Sequence, residues 1–290
     1  MAMSSLRFEA PTLLDYFATL VAEDQQFSLL EAAIAIAQDD DPTLDVQGVL
    51  SQIDRLALRL KQRMAADAGA MHRLRYLNRY FFHELGFAGN VNDYGDPRNS
   101  YLQHVLSTRR GIPITLALLY IEIANQVGLD ARPVSFPGHF LVKLKMPQGE
   151  VIIDPFTGQS LSRETLDERL VPYRRRQGLV GEFEAPLGLF LQVASGRDVL
   201  ARMLRNLKEV HQGGEDWPRL LAVQERLVVL LPEAWEERRD RGLVWAELND
   251  RRAAVDDLQA YLDHRPQSDD ARAIGERLAD LRGAGTPRLH

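Results

Sequence analysis

Apolar residues recur at the spacing of an α-helix through residues 11–86 of the chain. The first of these helices should end at the run Asp39 to Pro42, because proline has no backbone N–H with which to continue a helix. A second and a third helix come next, the third over 69–86. Their apolar faces are formed by Val49, Ile53, Leu56 and Leu60, and by Leu74, Leu77, Phe81 and Leu85. The pattern predicts a helical region that packs on the middle of the chain.

The middle of the chain changes from helical to strand-like spacing. After a turn-rich loop at 87–100, residues 100–127 are apolar on nearly every side, which is typical of a buried helix. Apolar residues then alternate, and this period of two is typical of strands. The predicted strands are 131–136, 139–146 and 150–154, and a polar helix follows near 162–170. We therefore expect a buried helix that leads into a small antiparallel sheet.

Helical spacing returns from residue 195. Pro232 and Pro266 are 34 residues apart, and each follows an apolar helical segment. This interval is the period of a tetratricopeptide unit, and a weaker copy precedes it, interrupted at 211–214. The predicted fold class is α+β. It has a helical N-terminal region at 1–86, a core with a small antiparallel sheet at 87–194, and tetratricopeptide-like helices at 195–290.

Composition narrows the possible functions. The 290 residues carry a formal charge of −6, which argues against a general surface for nucleic acid or anionic membrane. No basic segment followed by an apolar run begins the chain, and no apolar stretch approaches the ~18 residues of a membrane span. The chain has no cysteine, so disulfides, thiolate metal sites and a cysteine nucleophile are all excluded. We predict a cytoplasmic protein.

His139 and Asp154 are the strongest candidates for chemistry. His139 begins one predicted strand and Asp154 ends the next, and neighbouring antiparallel strands can bring such residues side by side. An aspartate beside a histidine orients the ring and favours its charged form. The amino end of the buried helix should lie in front of them, where backbone N–H groups and the helix dipole suit an anion.

Three segments carry a resemblance to a known family. The transglutaminase-like (papain-like) core is resembled by the segments RRGIPITLALLYIEIANQVGLDARPVSF, PGHFLVKL and EVIIDPFTG. Together with the repeat-like tail, these segments make the chain similar to the bacterial SirB-type proteins. The resemblance covers roughly 30–275 and is most specific at about 90–160. In that family a cysteine opens the buried helix, and the two following strands carry a histidine and an aspartate. The resemblance implies that His139 and Asp154 fill those two positions.

The chain departs from the family at the nucleophile. Aligning Gly128 and Arg132 with the family's glycine and arginine places Pro113 where the cysteine should be, so ordinary thiol turnover is excluded. Thr115, two residues further on, is one candidate replacement, although threonine in a first turn more often bonds the local backbone. Ser100 is a weaker candidate. A metal held by His104, His139 and Asp154 is a further alternative, but their spacing matches no known signature, so we predict no metal and no cofactor.

The turn-rich loop supplies candidate ligand-binding residues. The predicted rim of the cleft comprises Asn92, Asp93, Tyr94, Asp96, Arg98 and Asn99. Arg109 and Arg110, near the expected helix start, could attract a carboxylate or phosphate, because arginine presents a planar fork of donors.

The sequence supports three functional hypotheses. The leading one is a non-catalytic adaptor that binds a peptide or protein partner through the cleft and the helical repeats, without nucleic acid or membrane. The alternative is an amide or ester hydrolase that uses His139 and Asp154 with water or Thr115. A purely structural or regulatory module without a ligand is the third, and the sequence leaves the oligomeric state open.

Overall fold

A computed structural model describes residues 11–23, 27–179, 181 and 185–283. The N-terminal region consists of α1 (Leu13–Leu20), α2 (Leu29–Ala35) with a 3₁₀ extension (Ile36–Asp39), α3 (Val46–Lys61), and α4 (Ala70–Asn78) with a π-helical turn (Arg79–Glu84). Local chemistry fixes where these helices begin. The Asp45 carboxylate, for example, accepts a hydrogen bond from the Gly48 N–H and so caps α3.

The segment predicted as one helix over 100–127 is two helices, and this prediction was wrong. The observed elements are a short strand β1 (Ala88–Gly89), a 3₁₀ turn (Pro97–Ser100), α5 (Leu102–Thr108), β2 (Arg110–Gly111) and α6 (Pro113–Gln126). Arg109 ends α5 in the left-handed conformation, with φ of 61°. A new helix, α6, then begins at Pro113, and Ile112 before it has an extended backbone, which the proline ring favours. The short strands pair in parallel, Ala88 opposite Arg110.

A four-stranded antiparallel meander comes after α6. It contains β3 (Asp130–Val134), β4 (Leu141–Met146), β5 (Gly149–Asp154) and β6 (Gln159–Leu161), in that spatial order. The first three strands match the alternation in the sequence, whereas β6 was not predicted. Val142 lies opposite Ile153, a register that brings the start of β4 close to the end of β5. The polar helix is longer than expected, α7 (Arg163–Arg176), and a short α8 (Leu187–Phe190) comes after it.

The C-terminal helices form consecutive antiparallel pairs. They are α9 (Gly196–Gly213), α10 (Trp217–Leu230), α11 (Trp235–Glu247), α12 (Arg251–His264) and α13 (Ala271–Gly283). The segment 211–214, expected to interrupt a repeat, is the end of α9 and the turn into α10. Glu215, at φ of 52°, turns the chain there. Residues 211–214 therefore do not interrupt the succession of helices before the unit that the proline spacing marks.

One apolar core runs through all three predicted regions. It includes Phe17 of α1, Leu119 and Tyr120 of α6, and Leu204 of α9, each fully buried. Helix α6 lies at its centre, and ten of its residues are buried, as its continuous apolar pattern predicted. Smaller clusters lie under α7 and between the last helices. The predicted fold class is confirmed, and α6 and the sheet together hold the candidate site in place.

None of the helices in the described ranges is both long enough and apolar enough to cross a bilayer.

Candidate functional site

His139 and Asp154 form a direct hydrogen bond, as the strand spacing predicted. His139 Nε2 donates to Asp154 Oδ1 at 2.8 Å. The tight turn at Gly138, with φ of 70°, places His139 just before β4, and Asp154 is the last residue of β5. A proton on Nε2 leaves Nδ1 as the basic nitrogen, and Nδ1 has no hydrogen-bond partner in the described part of the chain. The ring is therefore held in one orientation with one nitrogen available.

The Asp154 carboxylate is held by three groups. Its Oδ1 also accepts from the Phe156 N–H at 3.0 Å, and its Oδ2 accepts from Arg169 Nη1 at 3.1 Å. Burial by itself raises the pKa of this carboxyl group. The hydrogen bond and charge of His139 act in the opposite direction, together with the other two donors, so the pKa of Asp154 lies below its ordinary value. Asp154 is therefore ionised at neutral pH, although its side chain is only 2% exposed.

Aromatic rings connect this pair to the turn-rich loop. The Phe156 ring packs edge-on against both His139 and Tyr94, with centroid distances of 6.4 and 6.0 Å. Gly89 lies directly beneath Phe156, and a Cβ atom there would overlap the ring. The absence of a side chain at Gly89 thus allows Phe156 to lie between the loop and the histidine.

The amino end of α6 lacks both a side-chain cap and a nucleophile. Ile112 is the N-cap residue and makes no capping hydrogen bond, and Pro113 follows it. The Thr115 hydroxyl is fully buried and donates to the carbonyls of Asn99 (2.8 Å) and Ile112 (3.1 Å). This geometry contradicts the suggestion that Thr115 attacks a substrate, because its hydroxyl faces backbone carbonyls and not the His139 ring.

A cleft of about 610 Å³ lies beside Gly138, the residue that precedes His139. One wall comes from the turn-rich loop and the start of α6, and the opposite wall comes from the repeat helix α9. The lining residues are Tyr94, Gly95, Asp96, Ser100, Ile112, Gly138, Arg202, Arg205, Asn206, Glu209 and Val210. The α9 residues were missed from the sequence. Arg202, Arg205 and Glu209 recur on one face of an amphipathic helix, but that pattern does not say which other element the face meets.

Arg202 joins the repeat helix to the turn that carries His139. Its Nη1 donates to Ser135 Oγ at 2.8 Å and to the Phe136 carbonyl at 3.0 Å. Burial lowers the pKa of this guanidinium from its ordinary value. Arg205, further along the same wall, is exposed and pairs with Glu237 at 2.8 Å. The cleft therefore has one arginine fixed against the core and one at the surface.

The predicted rim residues separate into two groups. Tyr94 and Asp96 line the cleft, and Asp96 is paired with Arg98 at 2.7 Å. Asn92, Asp93 and Asn99 do not line it. Asn92 and Asp93 are exposed beside it. Asn99 is buried, and its amide donates to the Asp93 carbonyl at 2.7 Å. Asn99 thus braces the loop, which corrects its assignment as a ligand contact.

Arg109 and Arg110 lie outside this cleft, because the break between α5 and α6 turns them away from it. Arg109 lines a separate cavity against α3. Arg110 is exposed and donates to the Gly86 carbonyl at 2.7 Å. Their assignment to the rim of the cleft is therefore corrected.

The metal alternative has no geometric support in the described ranges. No three histidine or carboxylate side chains come together there in a way that could hold an ion.

Comparison with known proteins agrees with this architecture. The transglutaminase-like superfamily matches residues 47–205, and a tetratricopeptide repeat family matches residues 207–279. A UPF0162 protein of Xylella fastidiosa (strain Temecula1) is 36% identical over 262 residues, covering 89% of this chain and 92% of the relative. A UPF0162 protein of Pseudomonas aeruginosa is 29% identical, covering 91% and 94%. Protein SirB1 of Salmonella typhimurium is 28% identical, covering 79% and 82%.

Proposed function

We propose that this chain, which belongs to the transglutaminase-like superfamily, binds a peptide or protein partner in its cleft and performs no thiol chemistry there. The observation that carries the proposal is the absence of cysteine from the sequence. The histidine and aspartate pair of the fold is retained, yet the attacking sulfur that such a pair would activate is absent.

The start of α6 supports a non-catalytic cleft. Pro113 contributes neither a nucleophile nor a backbone N–H, and the Thr115 hydroxyl is committed to two carbonyls. The site retains an uncapped helix end whose dipole favours negative charge, and an oriented imidazole with Nδ1 available. Ile112, at this helix end, lines the cleft, and His139 follows the lining residue Gly138, so either group could contact a carboxylate or a peptide group without breaking a bond.

The two walls of the cleft support a peptide or protein as the occupant. The volume of about 610 Å³ is in the range of ligand-binding clefts. Its lining mixes an aromatic ring, acidic and basic groups, and apolar residues from two parts of the fold. Tetratricopeptide helices offer extended binding surfaces, and α9, which leads into the matched repeat region, forms one wall of the cleft.

Site-specific photo-cross-linking tests this proposal. A photoreactive phenylalanine analogue replaces Tyr94 on the cleft wall, and the control carries it at Tyr76, which is similarly exposed on α4 (57% and 47%). Irradiation of cells that express each variant should give a discrete protein adduct at position 94 and not at position 76. Arg205→Glu, which reverses the charge of the exposed wall, should reduce that adduct. No adduct at 94, or equal adducts at both positions, would contradict the proposal.

The orientation of His139 supports hydrolysis by an activated water as a second candidate function. Its Nδ1 is the basic nitrogen of a ring fixed by an ionised carboxylate, the arrangement of a general base. A panel of amide and ester substrates, compared between the native chain and His139→Ala, decides between the two functions. Rates that fall in His139→Ala support hydrolysis, whereas equal background rates exclude it. The cytoplasmic location remains a prediction.

A further inference from the structure

Three arginines converge on a second cavity, formed where α3 packs beside α5. The cavity has a volume of about 170 Å³ and is lined by Gln52, Arg55, Leu56, Arg59, Leu106 and Arg109. It shares no lining residue with the cleft beside His139. Its size exceeds that of a few water molecules and is too small for a folded segment. Any occupant is therefore a small group.

The arrangement on α3 gives the cavity a basic wall. Gln52, Arg55 and Arg59 follow one another at intervals of three and four residues, so they share one face of the helix. Two arginines four residues apart repel each other modestly, and an anion between them would relieve that repulsion. The Gln52 amide adds a neutral donor.

None of the three arginines has an acidic partner among the residues that the structure describes. In the described part of the chain, Arg55, Arg59 and Arg109 take part in no ion pair and no side-chain hydrogen bond. By contrast, the nearby Arg63 pairs with Glu84 at 2.6 Å.

A buried donor of one of these arginines is left without an acceptor. Within the described ranges, Arg109 Nη1 is buried and has no hydrogen-bond partner. A buried donor without an acceptor destabilises a fold, so groups of this kind indicate a missing acceptor.

Arg109 occupies a backbone position that ordinarily favours glycine. Its φ of 61° ends α5 in the left-handed region, where a side chain introduces strain. The guanidinium is held by stacking on Phe87, with its central carbon 4.6 Å from the ring centroid. An arginine thus occupies a position where glycine would be less strained, and the Phe87 ring holds its guanidinium in place.

We propose that this cavity is a binding site for a phosphate group, either inorganic phosphate or the phosphate of a small phosphorylated molecule. Three guanidinium groups and an amide offer more donors than the two oxygens of a carboxylate can use, whereas a phosphate presents up to four oxygens and two charges. The proposal is independent of the function proposed for the cleft.

Calorimetric titration of the full chain with inorganic phosphate tests the site, at constant ionic strength maintained with chloride. The native chain should bind with saturation near one equivalent. Arg55→Gln/Arg59→Gln, in which both changed side chains are exposed, should weaken binding by at least about tenfold, because two charge-assisted contacts are lost. Arg109→Gly should weaken it similarly while relieving the backbone strain.

Controls separate this site from a general charge effect. Arg163→Gln/Arg252→Gln removes two exposed positive charges elsewhere and should keep the native affinity, and acetate should bind far more weakly than phosphate. A native chain without saturable binding would overturn the proposal. The proposal would also be overturned if the Arg55→Gln/Arg59→Gln variant bound phosphate as tightly as the native chain does. The same holds if the control variant lost as much affinity as that variant, or if acetate bound as tightly as phosphate. Circular dichroism of each variant establishes whether it is folded. If Arg109→Gly does not fold, the Arg55→Gln/Arg59→Gln variant alone tests the proposal.

Discussion

A buried ion pair between Asp39 and Arg226 joins the N-terminal helices to the repeats. Arg226 Nε and Nη2 each donate to an Asp39 carboxylate oxygen at 2.6 Å, and the guanidinium lies 4.8 Å from the centroid of Phe17. The Arg226 side chain is 1% exposed and that of Asp39 is 17% exposed. Asp39→Ala therefore leaves a guanidinium buried without its counter-charge, which typically costs about 3–5 kcal/mol.

The reverse substitution should cost less. Arg226→Met replaces the buried charge with an apolar side chain and leaves Asp39 where water can reach it, so we expect less than about half of that loss. The double variant Asp39→Ala/Arg226→Met should be about as stable as Arg226→Met, because it no longer contains an unpaired buried charge.

Urea unfolding measures these differences. All three tryptophans, Trp217, Trp235 and Trp245, lie in the repeats, so their fluorescence follows that part while circular dichroism follows the whole chain. If the N-terminal helices and the repeats unfold together, Asp39→Ala lowers both midpoints equally. A loss within about 0.5 kcal/mol, as for an ordinary surface change, would refute the reasoning. So would a greater loss in Arg226→Met than in Asp39→Ala.

Three further substitutions probe the site. Asp154→Asn should destabilise the chain at pH 7. The difference from the native chain should shrink as the pH falls from about 4, the ordinary aspartate pKa, through the lower folded pKa. Thermal unfolding at pH 7 and at a series of acidic pH values measures this difference, and a constant difference would contradict the role of the charge near His139. Thr115→Val should lower the free energy of unfolding by about 1–3 kcal/mol, because a buried carbonyl loses its hydrogen-bond donor. Cross-linking at the cleft should stay unchanged, and loss of the adduct in a folded variant would contradict this purely structural role of Thr115. Gly89→Ala should lower the free energy of unfolding by roughly 1–3 kcal/mol, because the added methyl group displaces the Phe156 ring. An unchanged melting temperature would contradict this, since it would mean that the ring moves aside at no cost.

Local patterns were sufficient to predict the catalytic-type pair. Alternation along β4 and β5 fixes roughly where these neighbouring strands begin and end. His139 lies just before β4 and Asp154 ends β5, so the sequence was sufficient to predict their contact. The buried character of α6 follows in the same way, because a helix apolar on all sides must lie inside. Both features depend on residues close to one another along the chain.

Features that depend on distant segments were not predictable. The left-handed turn at Arg109 has no local sequence signal, since glycine or asparagine is the usual residue at such a position. Because this turn was not predicted, Arg109 and Arg110 were wrongly assigned to the rim of the cleft. Arg202 and Arg205 reach the cleft only because α9 packs against the turn that carries His139. The amphipathic pattern of α9 shows that one face is polar but not which element that face meets.

The reactivity of a single introduced thiol tests most directly whether the cleft is a transglutaminase-type site that lacks only its nucleophile. The chain has no other cysteine, so alkylation of Pro113→Cys by iodoacetamide reports on that position alone. We expect the pH dependence of alkylation to give a thiol pKa well below the ~8.5 of an ordinary cysteine, and to return toward that value in Pro113→Cys/His139→Ala. A thiol whose pKa is the same with and without the imidazole would contradict the account.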